Sequence, residues 1–175
     1  MGRRNTIDRG HVLAVAEQIV NEFGAGALTI DAVAKAAGIT KGGVQSCFGT
    51  KEGLIAAMLE RWIEAHEARV QELLPAAPTQ LDLLRLHVQL TASDDVDAQR
   101  RVAGLLSALL DSPTHLEQIR DWYRAKMRML PKNDNAAQVA FLATEGAFFL
   151  RYLGLIEYSE KQWKAIFTGI SKSLP

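Results

Sequence analysis

Apolar residues recur at three- and four-residue spacing almost from end to end of the chain, the period of helices that each bury one face. Val12, Ala16, Ile19, Val20 and Phe23 form one such stripe, and Gly24 and Gly26 close it. Thr29 is placed to cap a short second helix, with Asp31 near the positive end of its dipole and Leu28 able to staple onto Val33. Gly38 ends that helix by supplying the left-handed residue of a sharp turn. Thr40 caps a third helix, with Ile39 against Val44, that runs to about Cys47. Phe48-Gly49 breaks it, and Thr50 caps a long fourth helix reaching about Leu73.

Pro75 and Pro78 mark a linker, after which the pattern predicts helices over about 79–92, 98–110, 113–130, 136–155 and 159–174. Asp94, Asp95 and Asp97 form an acidic loop, and Ser112-Pro113 reads as a cap with proline at the first helical position. Ser159 with Gln162 makes a capping box, and Tyr158 can staple onto Trp163. No alternating run predicts a strand, so the expected fold is all-α.

Composition narrows the classes. The chain has 175 residues, 48% hydrophobic and 23% charged, which suits an ordinary globular protein of one domain or two small parts. Its longest apolar run, residues 102–110, is far short of the roughly 20 residues of a membrane span, so no membrane partner is expected. Cys47 is the only cysteine and four histidines are scattered, which leaves neither a disulfide scaffold nor a Cys/His metal module. Arg3-Arg4 fails as a twin-arginine start because Glu17 and Gln18 interrupt the apolar stretch, and Gly2 with Thr6 matches only a loose myristoylation pattern. A cytoplasmic protein is expected. Lys+Arg and Asp+Glu balance at 20 each, and residues 1–53 carry six basic against five acidic side chains, so any case for nucleic acid rests on placement.

Placement supplies one. Two short helices joined by a tight glycine turn, after a supporting helix, form a helix-turn-helix pattern. Ala34 and Ala37 are small where the helices must cross, while Ile30, Val33, Ile39 and Val44 can fill the space between them. Thr40, Lys41, Gln45 and Ser46 are the outward, polar residues of the third helix and suit major-groove readout, where Lys reaches guanine and Gln reads adenine. Gly42 and Gly43 each cost about 1 kcal/mol in a helix relative to alanine, which suggests close approach to this backbone. Lys51 at a helix start is electrostatically unfavourable without a phosphate beside it; the alternative is a solvated lysine. Arg3 and Arg4 read either as a minor-groove arm or as a frayed terminus.

The stretch from Arg9 to Leu54 resembles the TetR family of bacterial transcriptional regulators. The resemblance rests on Ala16, Phe23-Gly24, Leu28-Thr29, Val33-Ala34, Ala37-Gly38-Ile39-Thr40, Gly43, Phe48, Lys51-Glu52 and Leu54. It implies a homodimer on double-stranded DNA, with a palindromic operator, and a helical bundle that binds a small effector and moves the two heads. It also implies that Thr29 and Lys51 hold phosphates and that residues Thr40 to Ser46 face the groove. The sequence departs from the family at Gln45, where an aromatic is usual, and at Cys47, where His or Tyr is usual. The expected division is a helix-turn-helix DNA-binding head over 1–50 and a ligand-binding and dimerisation bundle over 51–175.

In the bundle, Met58, Trp62 and His66 lie one turn apart and read either as core or as pocket lining. His87, Trp122 and Tyr123 are similar candidates, and Phe149 is expected beside Trp62, His66 and Trp122 around an apolar or cationic-amphipathic effector. Glu145 stands among Phe141, Leu142, Phe148 and Phe149, where a carboxylate is costly unless paired. It is expected to meet Arg151, a cation of a partner subunit or a cationic ligand. The helix over 136–155 is apolar all round, and the last helix adds a second apolar stripe. Phe141, Phe148, Tyr152, Trp163, Phe167 and Ile170 are therefore expected at a two-fold interface, closed as a four-helix bundle.

No nucleophile elbow, phosphate loop or metal-spaced histidine pair is present, so neither an enzyme nor a cofactor is expected. The rival reading is a dimeric helical interaction protein whose head no longer reads a sequence.

Overall fold

The computed structural model describes residues 7–92, 95–110, 112–132 and 134–174; Gly2, Arg3, Arg4, Thr6 and Asp94 lie outside them. Among the described residues the chain forms α1 (Arg9–Phe23), a 3-10 turn (Ala25–Ala27), α2 (Ile30–Ala36), α3 (Lys41–Phe48), α4 (Lys51–Leu73), α5 (Gln80–Thr91), α6 (Val96–Leu109), α7 (Pro113–Arg128), α8 (Asn135–Tyr152) and α9 (Glu160–Lys172), with no strand.

Side-chain caps set most of these boundaries. Thr29, Thr40 and Thr50 accept from the amides of Ala32, Gly43 and Gly53, and Ser159 forms the capping box with Gln162. Gly24 and Gly38 take positive φ of 80° and 67° at the ends of α1 and α2. Asp8 and Asp95 start α1 and α6 earlier than the apolar stripes alone indicate, because their carboxylates cap the amides of His11 and Ala98. Ser112 stands at the N-cap of α7 with Pro113 beginning the helix, as expected, but its hydroxyl meets His115 Nδ1 at 2.8 Å instead of an amide. Phe23 is a correction: at the last turn of α1 it stands outside the core, 69% exposed.

Two apolar clusters hold the chain together. The first joins α1, α2 and α3 to α4 and α6 through Val12, Val33, Val44, Leu54, Met58 and Val102, and takes in Phe148 and Tyr152 of α8. The second packs α5, α8 and α9 through Leu84, Val88, Phe141, Trp163 and Phe167. The first has members on both sides of residue 50, Phe48 of α3 and Leu54 of α4, so the head packs directly against the long helix.

The residues expected at a two-fold interface are placed otherwise. Phe141, Phe148, Tyr152, Trp163 and Phe167 are buried within the single chain, and Ile170 is half-buried against the second cluster. The inner half of α8 fills the chain's own core, so its largest side chains are spent there. Its outward apolar residues are Val139, Leu142, Leu150 and Leu153, the first two 63% and 61% exposed.

Arg151 is buried among these rings. Its guanidinium lies over Tyr152 and Phe167, donates to the Tyr152 hydroxyl and pairs with Glu160 at the start of α9. Its Nε has no partner among the described residues.

Candidate functional site

The head presents a polar face built by its own caps. Between α2 and α3, Gly38 turns the chain, and Val33, Ala34 and Val44 lock the two helices together. That leaves Lys41, Gly42, Gln45 and Ser46 exposed on adjacent rows of α3, one turn apart in pairs, with Thr40 at its tip. Thr29 is exposed at the start of α2, and Lys51 is half-exposed at the start of α4. Lys41 Nζ is 3.1 Å from Asp31, an exposed pair of small energetic worth that a phosphate or base edge can replace. Beside Lys51, backbone and Thr50 hydroxyl hydrogen bonds hold the Glu52 carboxyl below its ordinary pKa.

The two glycines of α3 differ. Gly42 is open, its nearest neighbour to a built Cβ being Thr40 Oγ1 at 3.9 Å. Gly43 is buried, and a Cβ there would meet Ile7 Cδ1 at 2.8 Å. The close approach at Gly43 is therefore made by the chain's own N-terminal segment on the inner side of α3.

Arg9 carries a role that its place in the sequence does not reveal. Its Nη1 donates to the Cys47 carbonyl at 2.8 Å, and its guanidinium lies 4.6 Å from the centre of the Phe48 ring. Thirty-eight residues separate Arg9 from Cys47. Arg9 thus grips the C-terminal turn of α3, where unpaired carbonyls and the negative end of the dipole favour a cation.

A cavity of about 490 Å³ lies between α4, α5, α6, α7 and α8. Trp62, His66, His87, Trp122, Tyr123 and Glu145 all line it. Met58 does not, being buried in the first cluster, and Phe149 packs against that cluster away from the cavity lining. Phe148 lines it instead. The lining also includes Arg9 and Gly53 at the head and the acids Glu60 and Glu64 on α4, which sequence reasoning missed because charged residues on an exposed helix face look like solvated surface.

Glu145 corrects another expectation. Arg151, six residues along α8, is engaged with Glu160, and Glu145 is met from other helices. Its Oε1 is 2.7 Å from His87 Nε2, and its Oε2 accepts from the Tyr123 hydroxyl at 2.7 Å. Burial and the Glu145 charge drive the Tyr123 phenol well above its ordinary pKa, so it keeps its proton and stays a donor. His87 also stacks on Phe141 at 5.4 Å. His66 stacks on Trp62 at 5.0 Å, and its pKa is held below 6.5, chiefly by burial, with the nearby charges of His87 and Lys126 adding to it.

Among the described residues no group of His, Cys, Asp and Glu is arranged to hold a metal, and no helix is long and apolar enough to cross a membrane.

Comparison with known proteins agrees with this architecture. The family described as bacterial regulatory proteins, tetR family, matches residues 12–58, and the tetracyclin repressor-like C-terminal domain matches residues 81–174. None of the curated proteins matches the chain. A transcriptional regulator from Rhodococcus sp. Rha1 is similar at 19% identity and TM-score 0.72, over 96% of each chain. The multidrug binding protein EbrR complexed with ethidium is similar at 20% identity and TM-score 0.65, over 93% of this chain and 96% of that one. The transcriptional regulator FadR from Bacillus subtilis, in complex with stearoyl-CoA, is similar at 15% identity and TM-score 0.66, over 96% of this chain and all of that one. These likenesses concern the fold. With one match covering the helix-turn-helix and the other more than half of the chain, the protein belongs to the TetR family of bacterial DNA-binding transcriptional regulators.

Proposed function

We propose that the protein is a cytoplasmic repressor that acts by binding rather than by catalysis, and that a small molecule in the cavity releases it from a palindromic operator. The carrying observation is that Arg9 belongs to both parts: it lines the cavity and holds the last turn of α3 through the Cys47 carbonyl. A ligand that moves this guanidinium changes the support of the recognition helix. By linkage, DNA weakens the ligand by the factor with which the ligand weakens DNA.

In this reading residues 1–50 read DNA and 51–175 bind ligand and partner. Thr29 and Lys51 hold phosphates, while Thr40, Lys41, Gln45 and Ser46 meet the major groove and Gly42 lets the backbone come close. Trp62, His66, His87, Trp122 and Glu145 contact an apolar or cationic-amphipathic effector. The chain dimerises through the outer face of α8 and its C-terminal end, where Val139, Leu142, Leu150 and Leu153 recur at three- and four-residue steps around Gly146. The polar face of α3, built on intact caps, favours this reading over an interaction protein with a degenerate head.

The test begins with duplexes selected by the protein from a random DNA pool. Lys51→Ala should weaken binding to every sequence and lower the salt slope by about one phosphate contact. Gln45→Ala should lose about 1–3 kcal/mol on the preferred base alone. If both variants bind all DNA as the wild type does, the head is not a DNA reader.

A further inference from the structure

The cavity is long and its lining changes character from end to end. Its α4 wall runs from Gly53 to His66, thirteen residue steps, or about 20 Å of helix. Arg9, which holds the last turn of α3, lines the cavity with Gly53 and His115, so this end lies beside the head. Tyr123 and His87 mark the other end, both bonded to Glu145, and His66 closes the α4 wall. Between the ends the lining is mainly apolar, with Leu59 of α4, Val102 and Leu106 of α6 and Ile119 of α7, and Glu60 and Glu64 of α4 stand among them.

The far end is chemically distinct. The Glu145 carboxylate accepts one hydrogen bond on each oxygen, from His87 and Tyr123, and a carboxylate offers about four lone-pair sites in all. Two sites are left for a ligand donor, on an acid held rigidly by its two donors. Acids outnumber fixed cations in the cavity lining. Glu60, Glu64 and Glu145 line it, against Arg9, whose guanidinium is engaged by the Cys47 carbonyl. The cation at this end, Lys126, lies over the Trp122 ring at 5.1 Å and is not part of the lining. An anionic head would face three lining carboxylates, Glu60, Glu64 and Glu145, and a neutral one would forgo the charge. A protonated amine gains a charge-assisted bond to the carboxylate, in a cavity that Trp62 and Trp122 also line.

We infer that the effector is a single-chain organic amphiphile with a protonated amine head, the head bound at Glu145 and the chain lying along α4 toward the DNA-binding head. This rests on the ligand-responsive reading above and adds the ligand's class, polarity and direction. The chain end then reaches the neighbourhood of Gly53 and Arg9, so a short homologue fills the far end without touching the residue that holds α3.

The test uses the full-length protein and three probes followed by tryptophan fluorescence and calorimetry: n-alkylammonium ions from hexyl to dodecyl, the matching n-alkanols, and ethidium. Alkylammonium affinity should rise about fourfold per added CH₂ until the slot is filled, and each amine should bind at least tenfold tighter than its alkanol. Glu145→Gln should weaken the amines at least tenfold and the alkanols less than twofold. If that variant does not fold, the wild-type amine-to-alkanol ratio decides alone. Affinity independent of chain length, or alkanols binding as tightly as amines, overturns the inference. Ethidium releasing the operator while the alkyl series fails overturns the inference and leaves the effector-released repressor standing. Amines that bind as described without releasing the operator keep the ligand assignment and refute the release mechanism.

Discussion

Gly53→Ala should destabilise the protein, although alanine is the better helix former. Gly53 is the third residue of α4, and its amide donates to the Thr50 hydroxyl at 3.1 Å. A Cβ built there falls 2.1 Å from the Phe48 carbonyl oxygen and 3.3 Å from its carbon. That oxygen is fixed, accepting from the Thr50 amide at 2.9 Å, while Gly49 donates to Gln45 at 2.8 Å and turns with φ 72°. Relief requires the joint between α3 and α4 to open by about 1 Å, in backbone rather than in a pliant side chain. Overpacking of this kind costs about 1–3 kcal/mol. The helix-propensity gain offsets it by up to about 1 kcal/mol, and less in a first turn. With an offset of about half a kcal/mol the net loss is about 0.5–2.5 kcal/mol, or roughly 1–10 °C in Tm for a chain of this size. Gly104→Ala is the control: its Cβ would lie 3.7 Å from Ala25 Cβ, an ordinary contact, so it should stabilise by about 0.5–1 kcal/mol. Thermal and urea melts followed by circular dichroism, at one protein concentration, measure both. Gly53→Ala should also weaken operator binding at unchanged helix content, because the joint sets the tilt of α3. A Gly53→Ala protein as stable as the wild type, or a Gly104→Ala protein as damaged as Gly53→Ala, would refute the steric account.

Three further outcomes are expected. Tyr123→Phe removes the bond from α7 to Glu145; α7 buries no residue of its own and should then exchange its amide hydrogens faster, with the α5 and α9 cores unchanged. His66 has a folded pKa held below 6.5, so its stability contribution is complete above that pH and is lost as pH falls through the folded value, where the unfolded chain takes up the proton first. Urea midpoints at pH 7.5 and 5.5 should therefore differ more in the wild type than in His66→Gln, and equal differences would remove His66 from the account. Leu142→Asp, on the outer face of α8, should leave a 19.2 kDa species in sedimentation at micromolar protein, whereas a persistent dimer would place the interface elsewhere.

The caps and turns were legible because each is a local event. Thr29, Thr40 and Thr50 bond amides three residues on, and Gly24 and Gly38 supply backbone angles no other residue takes cheaply. The head could be read from them almost whole. The aromatic and histidine side of the cavity could also be read, since Trp62, His66, His87 and Trp122 interrupt amphipathic patterns. What failed depends on which helix lies opposite. A helix apolar all round, such as α8, gives no periodic signal of which half meets its own core, so the pattern alone places Phe148 and Tyr152 outward whereas both are buried. Proximity in sequence offers Arg151 to Glu145. Six residues on a helix is 600° of rotation, which leaves the two side chains on different faces, and the true partners arrive from α5 and α7.

The same limit explains why Arg9 passed unnoticed and why it matters to the mechanism. As a sequence feature it is one cation before an apolar stripe, and its worth comes from bonding a carbonyl at the far end of another helix. A bond from a cation to an exposed C-terminal carbonyl is strong enough to bias a helix and weak enough for a ligand to compete with. A core contact such as Val44 against Val33 cannot serve this way, because breaking it unfolds the head instead of tilting α3. In the proposed release mechanism signal transfer therefore falls to a polar contact at the edge of the cavity, on a side chain that lines the cavity and also bonds the last turn of α3.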